Sequence, residues 1–151
     1  MGVKQRTQIA MTDAEVAEFL DASRTMTMAT VGPSGHPHLV AMWYAVIDGV
    51  PCFETKVKSQ KVANLRRDPK ISCLIEDGDT YDQLRGVAFE GSGEIIEDAE
   101  FLWRVGVNLF ERMYGPYTDA MKPAVEAMLN KRVAVRVNVE RVRSWDHRKL
   151  G

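Results

Sequence analysis

Glu54-Thr55-Lys56-Val57-Lys58-Ser59-Gln60-Lys61-Val62-Ala63-Asn64-Leu65-Arg66-Arg67-Asp68-Pro69 carries the end of a strand into a short helix. Ser59 is a suitable N-cap, because its hydroxyl can accept a bond from a first-turn amide that otherwise lacks a partner. Val62 and Leu65, three apart, give the helix a narrow apolar face. Pro69 cannot continue it and turns Asp68 away from helical angles. The helix start therefore gathers free amides, a positive dipole end, a hydroxyl, and Lys58 and Lys61 on either side. Those are the groups that cradle a phosphate. The same spacing suits a solvated basic helix, and spacing alone favours that plainer reading. Arg66-Arg67 is read as solvated surface.

Upstream, residues 1–11 predict a loose polar arm. Thr12-Asp13-Ala14-Glu15 is a capping box, opening a helix with Val16, Phe19 and Leu20 on one face that ends near Ser23. From Met26 the period falls to two. Met26–Val31 and Pro37–Ile47 are predicted strands around a Gly32-Pro33-Ser34-Gly35 turn. Asp48-Gly49 is a hairpin signal, and Cys52–Val57 is the third strand. Downstream, Lys70–Ile75 and Arg85–Ile96 are strands separated by a turn at Glu76-Asp77-Gly78-Asp79. Gly86, Gly91 and Gly93 inside the latter strand predict a bulge or barrel corner. Asp98 caps an amphipathic helix with a Leu102, Val105, Leu109, Met113 stripe, which Gly115-Pro116 ends. Thr118–Asn130 predicts another helix, with Pro123 in its first turn. Val133, Val135, Val137 and Val139 alternate as a sixth strand, with a bulge expected at Arg141-Val142. Hairpins joined to helices in this order imply an antiparallel barrel rather than a parallel sheet.

The 151 residues, 45% hydrophobic and 27% charged, are those of one ordinary globular domain. A net charge of −1 argues against a nucleic-acid binder. No apolar run approaches the ~20 residues that span a bilayer. The N-terminus lacks an apolar signal core, and Arg6 breaks the acylation pattern that Met1-Gly2 would open. A cytoplasmic protein with no membrane association is expected. Cys52 and Cys73 fall in apolar runs and predict buried thiols.

Other chemistry is weak. His36 and His38 lack a third ligand at a zinc spacing. Ser59, Asp146 and His147 assemble a hydrolase trio on paper only, without a nucleophile elbow. Gly91-x-Gly93 lacks the third glycine and the following helix of a dinucleotide site. Trp43 and Tyr44 are strand neighbours and face opposite sides, with Met42 and Tyr44 expected together.

The Ser59, Lys61, Asn64, Leu65, Asp68, Pro69 core resembles the pyridoxamine 5′-phosphate oxidase-like split-barrel family, specifically its actinobacterial branch that uses the deazaflavin coenzyme F420. The resemblance continues through Ala29-Thr30-Val31-Gly32, Gly35-His36-Pro37-His38-Leu39 and Met42-Trp43-Tyr44. Glu76-Asp77-Gly78, Leu84-Arg85-Gly86-Val87 and Ser144–Leu150 extend it, so that it spans residues 12 to 150.

It implies a mainly β fold with peripheral helices (α+β), a six-stranded antiparallel split β-barrel of the FMN-binding type. It also implies a homodimer with two cofactors between the subunits. Carried over by position, Lys58, Ser59, Gln60 and Lys61 match the phosphate-binding segment, with Asn64 supporting it. Ala41, Met42, Trp43 and Thr55 match ring-contacting positions. Trp145 and His147 match a C-terminal stretch that reaches the partner's site. Some relatives carry an arginine near position 59, where this chain has serine. The 98–130 helical insert is expected to cap the groove, with Tyr117 in that cap. The implied activity is an F420-dependent oxidoreductase that passes a hydride to a small conjugated or planar acceptor, and no catalytic side chain is named. The alternatives are an FMN-dependent oxidase and a cofactor carrier without turnover.

Overall fold

Burial alternates along Thr25–Val31 (β1): Met26, Met28 and Thr30 are buried, whereas Thr25 and Thr27 are exposed. Pleated backbone carrying every second apolar residue has one wet face and one dry face. The structure, a computed structural model, describes residues 3–151; the Met1-Gly2 pair of the rejected acylation pattern lies outside the described residues. Around β1 run Pro37–Trp43 (β2), Ala45–Ile47 (β3), Val50–Lys56 (β4), Lys70–Asp77 (β5), Arg85–Ile96 (β6) and Arg132–Asp146 (β7). They form one sheet in the order β2-β1-β5-β6-β7-β4-β3, and every neighbouring pair is antiparallel. The two edge strands, β2 and β3, are joined in the chain by a single residue, Tyr44. The sheet must therefore curl until its ends meet, as a half-barrel split at that point.

Tyr44 also corrects the expected strand count. The predicted Pro37–Ile47 strand breaks there into β2 and β3, giving seven strands rather than six. Its fully buried ring enters the core, its hydroxyl reaches the carbonyls of Leu20 and Ser23, and its amide donates to Arg24 O. These ties to the Leu20–Arg24 segment, just before β1, pull the backbone out of the ladder. Met42 and Tyr44 pack on the same core cluster while Trp43 is 42% exposed, as expected from strand alternation.

The expected loose arm is instead largely helical. Helix α1 (Val3–Ile9) buries Ile9, and Gln8 donates to the Lys149 carbonyl. Helix α2 (Asp13–Ala22) has the predicted capping box, with Glu15 N donating to Thr12 Oγ1 at 3.2 Å and Thr12 N to Glu15 Oε1 at 3.0 Å. Helix α3 (Gln60–Arg67) follows β4 directly. Helix α4 (Ala99–Tyr114) is capped by Asp98 and ends at Gly115, whose φ of 100° suits glycine. The predicted Thr118–Asn130 helix is shorter: a 3-10 turn at Asp119–Met121 precedes α5 (Lys122–Leu129), because Pro123 belongs to a first turn.

Two apolar cores result. Met26, Met28, Phe53, Ile75 and Val135 fill the curl of the sheet; each such side chain stabilises by about 1.5–3 kcal/mol. On the outer face of β3, β4 and the start of β7, Ala45, Ile47, Cys52 and Ala134 pack against Val105 and Leu109 of α4. Cys52 and Cys73 are buried free thiols, and burial pushes both up to about 12. The bulge falls one residue earlier than Arg141-Val142: β6 and β7 slip register at Glu90/Gly91, which leaves Glu140 unpaired. A Cβ on Gly91 would lie 2.0 Å from Asn138 O, so the crossing requires glycine.

Candidate functional site: a cationic corner where β4 becomes α3

Lys56 closes β4, Ser59 caps α3, and Lys56 pairs across the sheet with Arg132, the first residue of β7. Val57 N donates to Lys131 O at 3.0 Å, and Lys131 turns with a φ of 58° to place it there. Two segments far apart in the chain thus converge, gathering Lys56, Lys58, Lys61, Lys131 and Arg132 at one corner, where Arg132 and Lys61 act on the buried carboxylate of Glu54. Arg132 Nη1 lies 3.1 Å from Glu54 Oε2, at an angle outside hydrogen-bond geometry. Burial pushes the Glu54 carboxyl up, against the pull of Arg132 and Lys61. Burial, reinforced by Arg132, pushes the half-buried Lys61 ammonium down, against the pull of Glu54. Two cations share one carboxylate in a partly dry setting, so the corner holds surplus positive charge that an anion would neutralise.

The helix start adds hydrogen-bond capacity. Ser59 Oγ accepts from Val62 N at 3.4 Å and lies 3.3 Å from the buried Thr55 hydroxyl. The first-turn amides of Gln60 and Lys61 have no protein acceptor among the described residues. Asn64 is fully buried: its Nδ2 donates to Thr30 Oγ1 at 3.0 Å, while its Oδ1 accepts from Gln60 and Arg67. Asn64 therefore fixes α3 against β1 and holds the Gln60 side chain along the helix. Thr30 pairs with His38 across β1 and β2, and His38 Nδ1 is buried without a hydrogen-bond partner. Arg67 is exposed yet donates to Val31 O, and Arg66 pairs with Glu97 at 3.1 Å; both serve the fold.

The remaining predicted residues lie elsewhere. Ala41 and Trp43 are exposed on the outer face of β2, and Met42 faces the core. Trp145 lies flat over Gly86, where a Cβ would stand 2.4 Å from its ring. His147 is buried; its Nδ1 sits 2.7 Å from Tyr81 O, and since a carbonyl only accepts, that nitrogen carries the proton. The strand path from Arg132 to Trp145 is roughly 40 Å at about 3.3 Å per residue. Within one chain, Trp145 and His147 do not join the corner. Tyr117 meets Trp103 edge-on at 6.2 Å. Lys131 and Arg132 escaped the sequence reading, since only the β4–β7 register brings them beside Ser59.

The family model described as pyridoxamine 5′-phosphate oxidase matches residues 12–146. The chain belongs to this family. Its curled sheet, with helices at the periphery, is shared by solved relatives. A conserved hypothetical protein of Mycobacterium tuberculosis is 64% identical, with a TM-score of 0.95 over 99% of this chain and 93% of that one. A structure described as an F420 reductase is 29% identical, with a TM-score of 0.62 over 83% of this chain and 93% of that one. The heme storage protein HutZ of Vibrio cholerae, at 18% identity and a TM-score of 0.66, covers 86% and 92% and shares the fold. No curated protein matches the chain. Among the described residues, no helix is long and apolar enough to cross a membrane.

Proposed function

We propose that the chain is an F420-dependent oxidoreductase of the pyridoxamine 5′-phosphate oxidase family, acting on a small conjugated or planar acceptor. The observation that carries this reading is the cationic corner, where Lys61 and Arg132 share the single carboxylate of Glu54. Phosphate would be held there by the Gln60 and Lys61 amides, the Ser59 hydroxyl, and the ammonium groups of Lys58 and Lys61. Thr55, behind Ser59, orients that hydroxyl. When bound, the deazaflavin supplies the hydride chemistry, which leaves the protein to bind, orient and exclude water. The similarity to a structure described as an F420 reductase favours this coenzyme over FMN.

The reading includes a homodimer. Leu39, Ala41 and Trp43 of β2, with Thr27 and Ala29 of β1 and Leu74 of β5, form an uncharged patch of the outer face, flanked on β5 by Lys70 and Glu76. Leu39 is 64% exposed there. Pairing two copies would cover this face, and Trp145 and His147 would reach a corner only as contributions from the second subunit.

Titration of the purified protein with F420, followed by fluorescence quenching, tests the proposal, with FMN titrated in parallel. Micromolar F420 binding that Lys58→Gln/Lys61→Gln abolishes is the expected result. Tight FMN binding with none of F420 would move the assignment to the flavin branch. F420 binding without reduction of any of a broad panel of enones and quinones would make the protein a carrier. Binding of neither would remove the reading.

A further inference from the structure

Glu54 is a buried acid whose Oε2 contributes no hydrogen bond to the fold. It lies on the outer face of β4 with Cys52, pairs across the sheet with Ala134, and is only 7% exposed. A carboxylate in such a place is normally paired and fully hydrogen-bonded, because burying its charge is costly otherwise. Among the described residues, Arg132 alone lies within ion-pair distance, at 3.1 Å. An acid here costs the fold something and returns little to it.

Its effect falls on the anion site instead. Glu54 pulls the Lys61 ammonium upward and is itself pulled down by Lys61 and Arg132. It therefore stands inside the field of the groups that would hold phosphate. A fixed negative charge there repels any anion, and the repulsion grows in proportion to the charge the anion brings. Burial shields it from screening by salt. A phosphodiester brings one negative charge, whereas a phosphomonoester brings roughly 1.5–2 near neutral pH. Specificity is often built this way, by a charge that penalises the wrong ligand more than the right one.

We propose that Glu54 sets the charge of the phosphate that the corner accepts, favouring a monoanionic phosphodiester over a dianionic phosphomonoester. This rests on the cofactor reading and deepens it, since the phosphate of F420 is a diester and that of FMN a monoester. Glu54 acts through its field on the site and not by touching the reacting ring.

Fluorescence titration of the wild type and Glu54→Gln with F420 and with FMN at pH 8 tests the proposal. Comparing variant with wild type for each cofactor separately cancels the difference between the rings. Expected is about threefold tighter binding of F420 and about tenfold tighter binding of FMN, since the gain for two charges is close to the square of the gain for one. Riboflavin 4′,5′-cyclic phosphate, with the ring of FMN but a monoanionic diester, should gain no more than F420. Tighter binding is not the mark of a folding defect. Glu94→Gln removes an acid paired with Arg136, on the same face of β7 as Arg132, and should leave every affinity unchanged. Equal gains for FMN and its cyclic diester, no gain for FMN, or the same gain in Glu94→Gln would each overturn the proposal, while F420 binding by the wild type kept the cofactor reading in place. A wild type that binds neither cofactor would remove both.

Discussion

Lys61 carries a titration that a bound anion would reverse. Burial and Arg132 hold its ammonium below the ordinary 10.5, with Glu54 pulling the other way. A phosphate at the start of α3 would raise it again, so binding and proton uptake are coupled. Below the free-protein value Lys61 is fully charged and affinity is greatest; as pH rises through that lowered value, affinity falls. Calorimetry with F420 between pH 7 and pH 10 should therefore show weakening on the alkaline side in the wild type. Lys61→Arg should be flat over the same range, and Lys61→Ala should be about tenfold weaker at pH 7, or ~1.4 kcal/mol. A flat wild-type profile would remove Lys61 from the site. The hydroxyl and lysines of this segment were legible because a cap and its flanking charges are local features. Arg132 was not, because its partnership with Glu54 exists only through strand pairing. Arg112 shows the same limit. Its side chain, 12% exposed, donates to the carbonyls of Tyr44, Asp21 and Ser23 and lies 4.8 Å from the centre of the Tyr44 ring. Arg112→Ala should cost about 3 kcal/mol in urea unfolding, since carbonyls lose their donors together, while leaving binding at the corner intact.

At the scale of elements, the bulge opposite Gly91 decides which residues of β7 face outward. Before it, Ala134 and Arg136 lie outward; after it, Arg141, Arg143 and Trp145 do. Gly91→Ala should force the strands apart, because the new Cβ would meet backbone rather than a movable side chain. The expected loss is about 2–3 kcal/mol, read as a lower urea midpoint. A stability equal to wild type would mean that the strand relaxes without cost. Glycines inside a predicted strand announced this device from sequence, but its position depends on the partner strand and so fell one residue away. The Tyr44 break was illegible for a related reason. Tyr44 suits a strand by itself, and only the Leu20 and Ser23 carbonyls, supplied by a distant helix end, make leaving the ladder favourable. Residues 1–11 lack the apolar periodicity of a helix, so α1 owes its order to docking on β7 and the C-terminal turn rather than to propensity.

For the whole molecule, the question is which surfaces remain unfinished in one chain. Helices α4 and α5 cover the outside of β3, β4 and early β7, whereas the outer face of β2 carries Leu39, Ala41 and Trp43 uncovered, beside Thr27 and Ala29 of β1. A contiguous apolar face of this kind marks an association site, and a second copy satisfies it by symmetry. The same pairing is the only route by which Trp145 and His147 could approach a corner roughly 40 Å away along their own strand. Two consequences are coupled and can be measured separately. Light scattering should give the wild type about twice the 17.0 kDa of one chain. Leu39→Asp places a charge on each side of the pairing and should give the monomer mass with an unchanged melting temperature, since Leu39 is exposed in the single chain. If the sites lie between subunits, this variant should also lose F420 affinity at least tenfold, although it touches none of the corner residues. A monomeric Leu39→Asp that binds F420 as tightly as wild type would place the whole site within one chain and free Trp145 and His147 from any part in it.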